Sequence, residues 1–291
     1  FAPESTQTIL DCTLGGGGHS RCLLENFPDA KLYGIDRDAL AVKAAAERLK
    51  TYEKQTKLGQ ASFSELPEFF AECGEPVFDY ILADLGLSSE QLARAERGFS
   101  FLREGPLDMR MDPDRQQITA AHLVNNSSEQ ELLKILRNFG EERFARKIVG
   151  KILEFRGKNP LKTTKELAQI VSSVIPRRLQ KQGFNPATLT FQALRIAVNN
   201  ELQELEVLLK QIPSRLKKDG RVALISFHSL EDRIVKHQFR KWENPCVCPT
   251  DLPYCICGEK PRGRVLTRRP VNATKKEVAD NPRSRSAHLR V

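Results

Sequence analysis

Long apolar runs are missing from this sequence of 291 residues. No stretch approaches the roughly 20 consecutive apolar residues that a membrane-spanning helix needs, and no secretory signal is visible. These absences argue against a helical membrane protein and against export. Because 40% of the residues are hydrophobic and 29% are charged, the chain can bury its own core as one large domain or two modest ones.

A disulfide framework is also missing. The seven cysteines are an odd number, and three of them, Cys12, Cys22 and Cys73, are scattered along the chain. A chain of this length can be stabilised by apolar burial alone, so we expect reduced thiols in a cytoplasm-like compartment.

The other four cysteines form two C-x-C pairs separated by six residues: Cys246, Cys248, Cys255 and Cys257. Zinc sites more commonly use C-x2-C, because two intervening residues form the knuckle turn. The spacing alone therefore favours free thiols or a reversible disulfide over a structural metal, and no metal is assigned from the sequence.

Positive charge is concentrated near the end of the chain. The net charge is +9, and the stretch from Gly258 to Val291 contains ten Lys or Arg residues against three acidic ones. A basic segment interrupted by Pro and Gly beside a nearly neutral body favours a polyanionic partner, most simply a nucleic acid. A solubilising tail is the alternative from charge alone.

Short apolar runs bounded by turn or charged residues predict four buried parallel strands, at 8–14, 31–36, 77–84 and 221–227. A helix is predicted between the first two strands, and the Ala-rich stretch 37–50 predicts a second amphipathic helix. This alternation is typical of an α/β fold with a doubly wound parallel sheet.

Helical patterns replace the alternation from about Gly105 onward. Capping boxes at Ser128 with Glu131, and at Thr163 with Glu166, mark two helix starts. We therefore expect an all-helical insertion at 105–198, between a first part of the α/β domain at 1–104 and a second part at 199–291 that carries the basic tail.

A glycine-rich turn follows the first predicted strand, in the sequence I-L-D-C-T-L-G-G-G-G-H-S-R-C-L-L-E-N-F at 9–27. Backbone without side chains at this point lets a ligand approach the main chain beside the next helix. Asp36 ends the second strand, where a carboxylate can accept both ribose hydroxyls of an adenosine. The turn alone could be purely structural; together with Asp36 it favours an adenosine cofactor.

Two cofactor classes fit this pattern. A nicotinamide dinucleotide would favour the full G-x-G-x-x-G fingerprint, but Ser20 occupies the position of the third glycine, and no Lys follows for a P-loop. S-adenosylmethionine has no phosphate, and Asp11 and Asp84 supply carboxylates for its cationic part. The sequence therefore favours a methyltransferase. The alternatives are a nicotinamide-dependent oxidoreductase and a non-catalytic RNA-binding protein. A fluorescence titration with NADH would reveal the first, and methyl transfer from labelled cofactor would exclude the second.

Several longer motifs carry a family resemblance: D-C-T-L-G-G-G-G-H-S, G-I-D-R-D, R-G-F-S-F-L-R-E-G-P-L-D-M-R-M-D, I-S-F-H-S-L-E-D-R-I-V-K and N-P-R-S-R-S-A-H-L-R. From Ile9 to the C-terminus the sequence resembles the bacterial RsmH family, formerly MraW. These enzymes methylate N4 of a cytidine in the decoding region of 16S ribosomal RNA, in the cytoplasm. The family usually begins with an element His-x-Pro-Val that this sequence does not contain, from which we expect a less complete enclosure of the cofactor.

The resemblance implies a Rossmann-like methyltransferase sheet with an inserted helical domain thought to help bind RNA. It implies S-adenosylmethionine as cofactor, and small-subunit rRNA or the assembling small ribosomal subunit as partner. Gly17, Gly18 and His19 would contact the methionine part of the cofactor. Asp36 would hold the ribose and Phe63 would lie against the adenine. Asp84 and Gln91 would complete the pocket.

The chemistry of the reaction suggests catalytic residues. A cytosine amine is a poor nucleophile because its lone pair is delocalised into the ring, so the enzyme must align it and help to remove a proton. Our hypothesis is that Asp84, Ser88 or Ser89 accepts from the amine, while His228 contacts the base or relays the proton. A purely structural, hydrogen-bonded His228 is the alternative.

The segment L-D-M-R-M-D, residues 107–112, also leaves two interpretations open. Its alternating acidic, Met and basic residues fit either an ion-paired turn or a contact with RNA or another domain.

Overall fold

The computed structural model describes residues 1–176, 185–249 and 254–291, which divide into two compact units. One unit comprises Phe1–Gly86 and Leu202–Val291, and the other comprises Leu87–Glu201. The second unit begins ahead of the expected boundary at 105, because Leu92, Phe99 and Phe101 pack into its helical core. Within these described ranges, no helix is both long enough and apolar enough to cross a bilayer.

A seven-stranded sheet forms the centre of the first unit. Its strands are β1 (Thr8–Asp11), β2 (Lys31–Asp36), β3 (Thr56–Gln60), β4 (Phe78–Asp84), β5 (Leu216–Ser226), β6 (Val271–Asn272) and β7 (His288–Arg290). The order across the sheet is β3-β2-β1-β4-β5-β7-β6. The first five strands are parallel, whereas β7 runs antiparallel to both β5 and β6.

Helices connect the strands and build the second unit. They are α1 (Gly18–Asn26), α2 (Ala39–Arg48), α3 (Leu66–Glu72), α4 (Ser89–Ala93), α5 (Ala120–Asn126), α6 (Glu129–Gly140), α7 (Ala145–Arg156), α8 (Thr164–Val174), α9 (Thr188–Asn199), α10 (Glu201–Arg215), α11 (Ser229–Glu243) and α12 (Lys275–Asp280). The predicted helix at 37–50 is thus α2, whose start is capped by the Asp38 carboxylate accepting from the Leu40 N–H at 3.0 Å.

The sheet is buried on both faces, as parallel sheets require. Successive side chains of one strand alternate between two apolar cores: Ile9 and Leu32 belong to one, and Leu10, Tyr33 and Ile81 belong to the other. Continuous apolar runs, rather than alternating ones, are the expected sequence signature of such strands. The strand predictions at β1, β2, β4 and β5 are confirmed for this reason.

The helical unit has a separate apolar core, to which α5 to α9 contribute. Both predicted capping boxes are present: the Ser128 hydroxyl accepts from the Glu131 N–H, and the Thr163 hydroxyl accepts from the Glu166 N–H. The carboxylates of Glu131 and Glu166 accept from the backbone N–H of those caps in return. These caps fix where α6 and α8 begin.

Candidate active site

Three carboxylates end neighbouring parallel strands at one edge of the sheet. Asp11 ends β1, Asp36 ends β2 and Asp84 ends β4, and β1 pairs with both β2 and β4. Ligands of open α/β sheets bind outside the carboxyl ends of the strands, where the strand order reverses. In this sheet that point is the carboxyl end of β1, and the loop that follows β1 contains the four glycines.

Gly17 turns this loop into α1. Its φ is 75°, in the left-handed region, and a Cβ built on it would lie 3.2 Å from Cα of Ala45. A side chain at this position would therefore be strained and crowded. Gly18 begins α1 with a conformation that needs no glycine, and a Cβ there would meet only Arg48, at 3.6 Å. The turn thus presents bare backbone at the edge of β1.

The Asp36 carboxylate ties this loop to β2. One oxygen accepts from the Gly15 N–H at 2.8 Å, and the other accepts from the Asp38 N–H at 2.8 Å. Burial raises the pKa of Asp36 to about 6, although both backbone hydrogen bonds act to lower it. A carboxylate has about four acceptor positions, so two further donors, such as the hydroxyls of a ribose, can still be accommodated.

Asp11 has a different task from Asp36. Its side chain is fully buried, its Oδ2 accepts from the Ser20 hydroxyl at 2.6 Å, and its Oδ1 accepts from the Thr13 N–H at 3.1 Å. Burial raises the pKa of this carboxyl, and the hydrogen bond from Ser20 opposes the shift. Asp11 therefore anchors the loop and α1, and Ser20 replaces a third glycine because its hydroxyl is needed as the donor.

The two carboxylate oxygens of Asp84 have different surroundings. Its Oδ2 lies 3.3 Å from Nε2 of His19, and this interaction raises the pKa of His19, partly offset by burial. Its backbone N–H donates to the Thr13 hydroxyl at 2.6 Å. Its Oδ1 is buried and has no hydrogen-bond partner among the residues that the structure describes. Buried carboxylate oxygens are normally paired, so this atom can accept a hydrogen bond from a water molecule or from a donor group of a bound molecule.

Phe63 follows β3 at the same edge of the sheet. It begins a short 3-10 turn, Phe63–Glu65, in which Ser62 and Glu65 form a capping box. Its ring is half-buried against the apolar core, and its carbonyl accepts from Nε2 of Gln211 at 2.9 Å. Gln60 at the end of β3 is in register with Asp36 at the end of β2. Phe63 therefore lies just beyond the end of the strand that is adjacent to Asp36, the residue expected to hold the ribose.

Ser88, Ser89 and Gln91 belong to the Leu87–Glu201 unit. Ser88 caps α4: its hydroxyl accepts from the Gln91 N–H at 3.1 Å, and Oε1 of Gln91 accepts from the Ser88 N–H at 3.0 Å. These reciprocal hydrogen bonds form a capping box, which explains why Ser and Gln occupy these two positions at the start of α4. The expected roles of Ser88 and Ser89 towards the amine, and of Gln91 towards the cofactor, stay predictions.

His228 is the N-cap of α11. Its Nδ1 accepts from the Glu231 N–H at 3.4 Å, and its Nε2 lies 3.2 Å from Oε1 of Glu231. The side chain is only 9% exposed. The cap accounts for a histidine here, and contact with a base stays a prediction.

The strand order, with antiparallel β7 between β5 and β6, and the acidic residues at the carboxyl ends of β1, β2 and β4 define a Rossmann-like sheet with a candidate ligand site at those strand ends. The helical unit is the insertion in that sheet. The chain belongs to the MraW methylase family, whose model matches residues 1–291. This confirms the resemblance found in the sequence motifs.

Similar proteins carry a common name. A "Ribosomal RNA small subunit methyltransferase H" from Trichlorobacter lovleyi is 50% identical over 291 residues, covering 100% of this chain and 93% of the relative. A protein of the same name from Clostridium botulinum strain 657 is 48% identical over 283 residues, covering 97% of this chain and 91% of the relative. The crystal structure of TrmN from Thermus thermophilus matches with 12% identity and a TM-score of 0.35, covering 78% of this chain and 36% of that one.

Proposed function

We propose that this protein transfers a methyl group from S-adenosylmethionine to the exocyclic N4 amine of a cytidine in the decoding region of 16S rRNA. The observation that carries the proposal is the match to a methylase family over the whole chain, with relatives about half identical that are named for small-subunit ribosomal RNA. A nicotinamide-dependent oxidoreductase and a non-catalytic RNA-binding protein are not favoured by that match.

The residues at the edge of β1 suit this cofactor. Asp36 has spare acceptor positions for ribose hydroxyls, and Oδ2 of Asp84, which lies beside His19, supplies negative charge for the cationic part of the cofactor. Gly17 and Gly18 leave the main chain open, and His19 would face the methionine part. S-adenosylmethionine, when bound, supplies an electrophilic methyl group.

The protein's own contribution to the reaction is orientation and proton removal. We assign Asp84 as the first candidate acceptor for an N–H of the cytosine amine, which concentrates the lone pair on nitrogen and lets a proton leave. Ser88 and Ser89 are the alternative acceptors, and His228 is assigned to the base or to proton relay. The target base has to leave its stack or lie in unpaired RNA, which costs a few kcal/mol.

The basic tail supports an RNA partner, namely small-subunit rRNA or the assembling small subunit in the cytoplasm. The tail is folded onto the first unit: Arg290 in β7 makes two hydrogen bonds to the Asp232 carboxylate, at 2.7 and 2.9 Å. Lys236, Arg240 and Arg268 are among the residues that line a surface cavity beside it. Positive charge held on a defined surface favours phosphate contacts over simple solubilisation.

Mass mapping of rRNA nucleosides tests the cofactor, the base and the atom together. Small subunits lacking the modification are incubated with the protein and isotope-labelled S-adenosylmethionine, then digested and sequenced by mass spectrometry. We expect label on N4 of one cytidine in the decoding region, appearing about 100- to 10,000-fold more slowly with the Asp84→Asn variant. Label on a ring carbon, on a ribose or on another nucleoside would contradict the proposal, as would a lack of transfer by the unmodified protein.

Cofactor affinity should depend on pH through Asp36. Its pKa of about 6 in the free protein should fall when ribose hydroxyls donate to it, because such donors favour the ionised form. Binding of S-adenosylhomocysteine should therefore weaken as pH falls below 6, by up to about tenfold per pH unit. Asp36→Asn should lose this dependence and bind about 10- to 100-fold more weakly at neutral pH.

Calorimetry in buffers of different ionisation enthalpy measures both the affinity and the proton released near pH 6. A His19→Gln background removes the histidine whose pKa is also raised at these strand ends, and the exposed Asp29→Asn is the matched control. If Asp36→Asn kept the wild-type affinity and pH profile, Asp36 would not hold the ribose.

A further inference from the structure

The thiols of Cys246, Cys248, Cys255 and Cys257 come together in the segment after α11. The Sγ atom of Cys255 lies 3.4 Å from that of Cys257, 3.6 Å from that of Cys246 and 3.9 Å from that of Cys248. The Sγ atoms of Cys246 and Cys257 are 3.9 Å apart. All four sulfur atoms lie within 4.8 Å of one another.

These distances match a metal tetrahedron and not a disulfide. A disulfide joins two sulfur atoms at about 2.05 Å. Four thiolates around one zinc ion, each about 2.3 Å from it, have sulfur atoms about 3.8 Å apart along the edges of the tetrahedron. The spacing in the sequence disfavours a knuckle, but the fold brings the two C-x-C pairs face to face, so that each pair supplies two corners.

We propose that Cys246, Cys248, Cys255 and Cys257 bind one Zn²⁺ ion in a closed, structural tetrathiolate site. Each ligand loses its thiol proton on binding, so four thiolates and one Zn²⁺ carry a net charge of −2. The segment that follows, residues 258–264, contains Lys260, Arg262 and Arg264 against the single acidic Glu259, so its net charge of +2 is opposite in sign to that of the site. With four protein ligands, no coordination position is open for catalysis.

A backbone N–H group supports a thiolate within the cluster. The Ile256 N–H donates to Sγ of Cys248 at 3.4 Å. Such a donor stabilises a thiolate, and a bound metal ion makes all four groups thiolates.

The position of the cluster gives the metal a structural task. The chain returns to the end of α11 just after the cysteines, where the Arg262 N–H donates to the Trp242 carbonyl at 2.8 Å and the Val265 N–H donates to the Glu243 carboxylate at 2.9 Å. No helix or strand is present at 244–249 or 254–270, the described parts of this connection. The ion would close it into a fixed loop and set the direction in which the basic tail leaves α11.

Metal analysis and cobalt substitution test the site. Protein purified without chelator should contain one zinc per chain by mass spectrometry of the elements. Replacing zinc with Co²⁺ should give the charge-transfer and d–d absorption bands of a tetrahedral tetrathiolate site. Cys255→Ser should lose the zinc and those bands, whereas the matched control Cys22→Ser, which changes an exposed thiol outside the cluster, should keep both.

Thiol alkylation of the folded wild-type protein gives a second readout that does not depend on whether a variant folds. The four cluster cysteines should react only after a strong chelator is added, while Cys22 should react at once. The proposal is overturned if the purified protein binds neither zinc nor cobalt, if it contains iron in place of zinc, if Cys255→Ser retains full metal content, or if the four thiols react like Cys22 or are found as disulfides. None of these outcomes depends on methyl transfer, so the metal site and the proposed activity can fail separately.

Discussion

Replacing Asp84 with Asn should lower the single-turnover rate of methyl transfer by about 100- to 10,000-fold, the usual contribution of a positioned proton acceptor. The buried Oδ1 of Asp84 has no partner within the described chain, so it is available to accept from a substrate amine. An amide at this position keeps the shape of the side chain but loses the negative charge and cannot take up a proton. The rate is measured with cofactor and RNA both saturating, so that weaker binding is not mistaken for slower chemistry.

The same strand offers a matched control. Asp79, near the start of β4, has Oδ2 accepting from the N–H groups of Gln7 and Thr8 and from Lys217 at 3.0 Å. These partners hold the pKa of Asp79 below its usual value although burial acts to raise it. Asp79→Asn should therefore lower the free energy of unfolding above pH 4, where the carboxylate is ionised, and leave the methyl-transfer rate unchanged. Equal losses of rate in both variants would show that Asp84 acts through the fold and not on the amine.

The sequence alone predicts the four buried strands β1, β2, β4 and β5. It does not predict β3, β6 and β7, which lie at the two sides of the sheet. β1, β2, β4 and β5 are continuous apolar runs, because both of their faces are covered by protein. β3 reads T-K-L-G-Q, with one large apolar residue, and β6 and β7 are short and lie within the basic tail. Their pairing is determined by neighbouring strands and not by their own composition, so no local pattern could reveal them.

The candidate site shows the same division between local and long-range signals. The positions of Asp36 and the glycine turn at the carboxyl ends of two strands could be predicted, because each follows an apolar run in the sequence. The roles of Asp11, Thr13 and Ser20 could not, because they depend on which hydroxyl meets which carboxylate after the loop has folded. One local signal for the Ser20–Asp11 contact was present in the sequence. Ser20 occupies the position of the third fingerprint glycine, and the buried strand β1 ends in the acidic residue Asp11. The hydrogen bond from the Ser20 hydroxyl to the Asp11 carboxylate explains both residues.

The segment 107–112 was ambiguous for the same reason, and the structure explains it by internal contacts of the helical unit. Arg110 and Asp108 form a two-pronged ion pair with distances of 2.8 Å. Met109 is 1% exposed and has a φ of 63°, a left-handed conformation that is costly for such a side chain. This strain persists only if neighbouring residues hold the backbone in place. Asn199 of α9 is one of them, and Arg97 is another, since its carbonyl accepts from the Met109 N–H at 3.0 Å.

Asn199→Leu should lower the free energy of unfolding of the helical unit by about 2–5 kcal/mol, since each buried polar group left unpaired costs about 1–3 kcal/mol. Asn199 is fully buried; its Oδ1 accepts from the Met111 N–H at 2.8 Å, and its Nδ2 donates to the Met109 carbonyl at 2.7 Å. Leucine has a similar volume but can satisfy neither group, so the strained turn at Met109 loses both of its bonds to Asn199 and keeps those to Arg97.

Denaturant unfolding followed by circular dichroism measures the loss of stability, and hydrogen exchange locates it. The amide of Met111 should exchange much faster in Asn199→Leu than in the wild type, while amides of β1 and β4 keep their protection. The control is Asn126→Leu, which changes an exposed asparagine at the end of α5 and should alter stability by less than about 0.5 kcal/mol. If Asn199→Leu behaved like that control, the buried amide would not be what stabilises the turn, and a binding role for residues 107–112 would again have to account for its conformation.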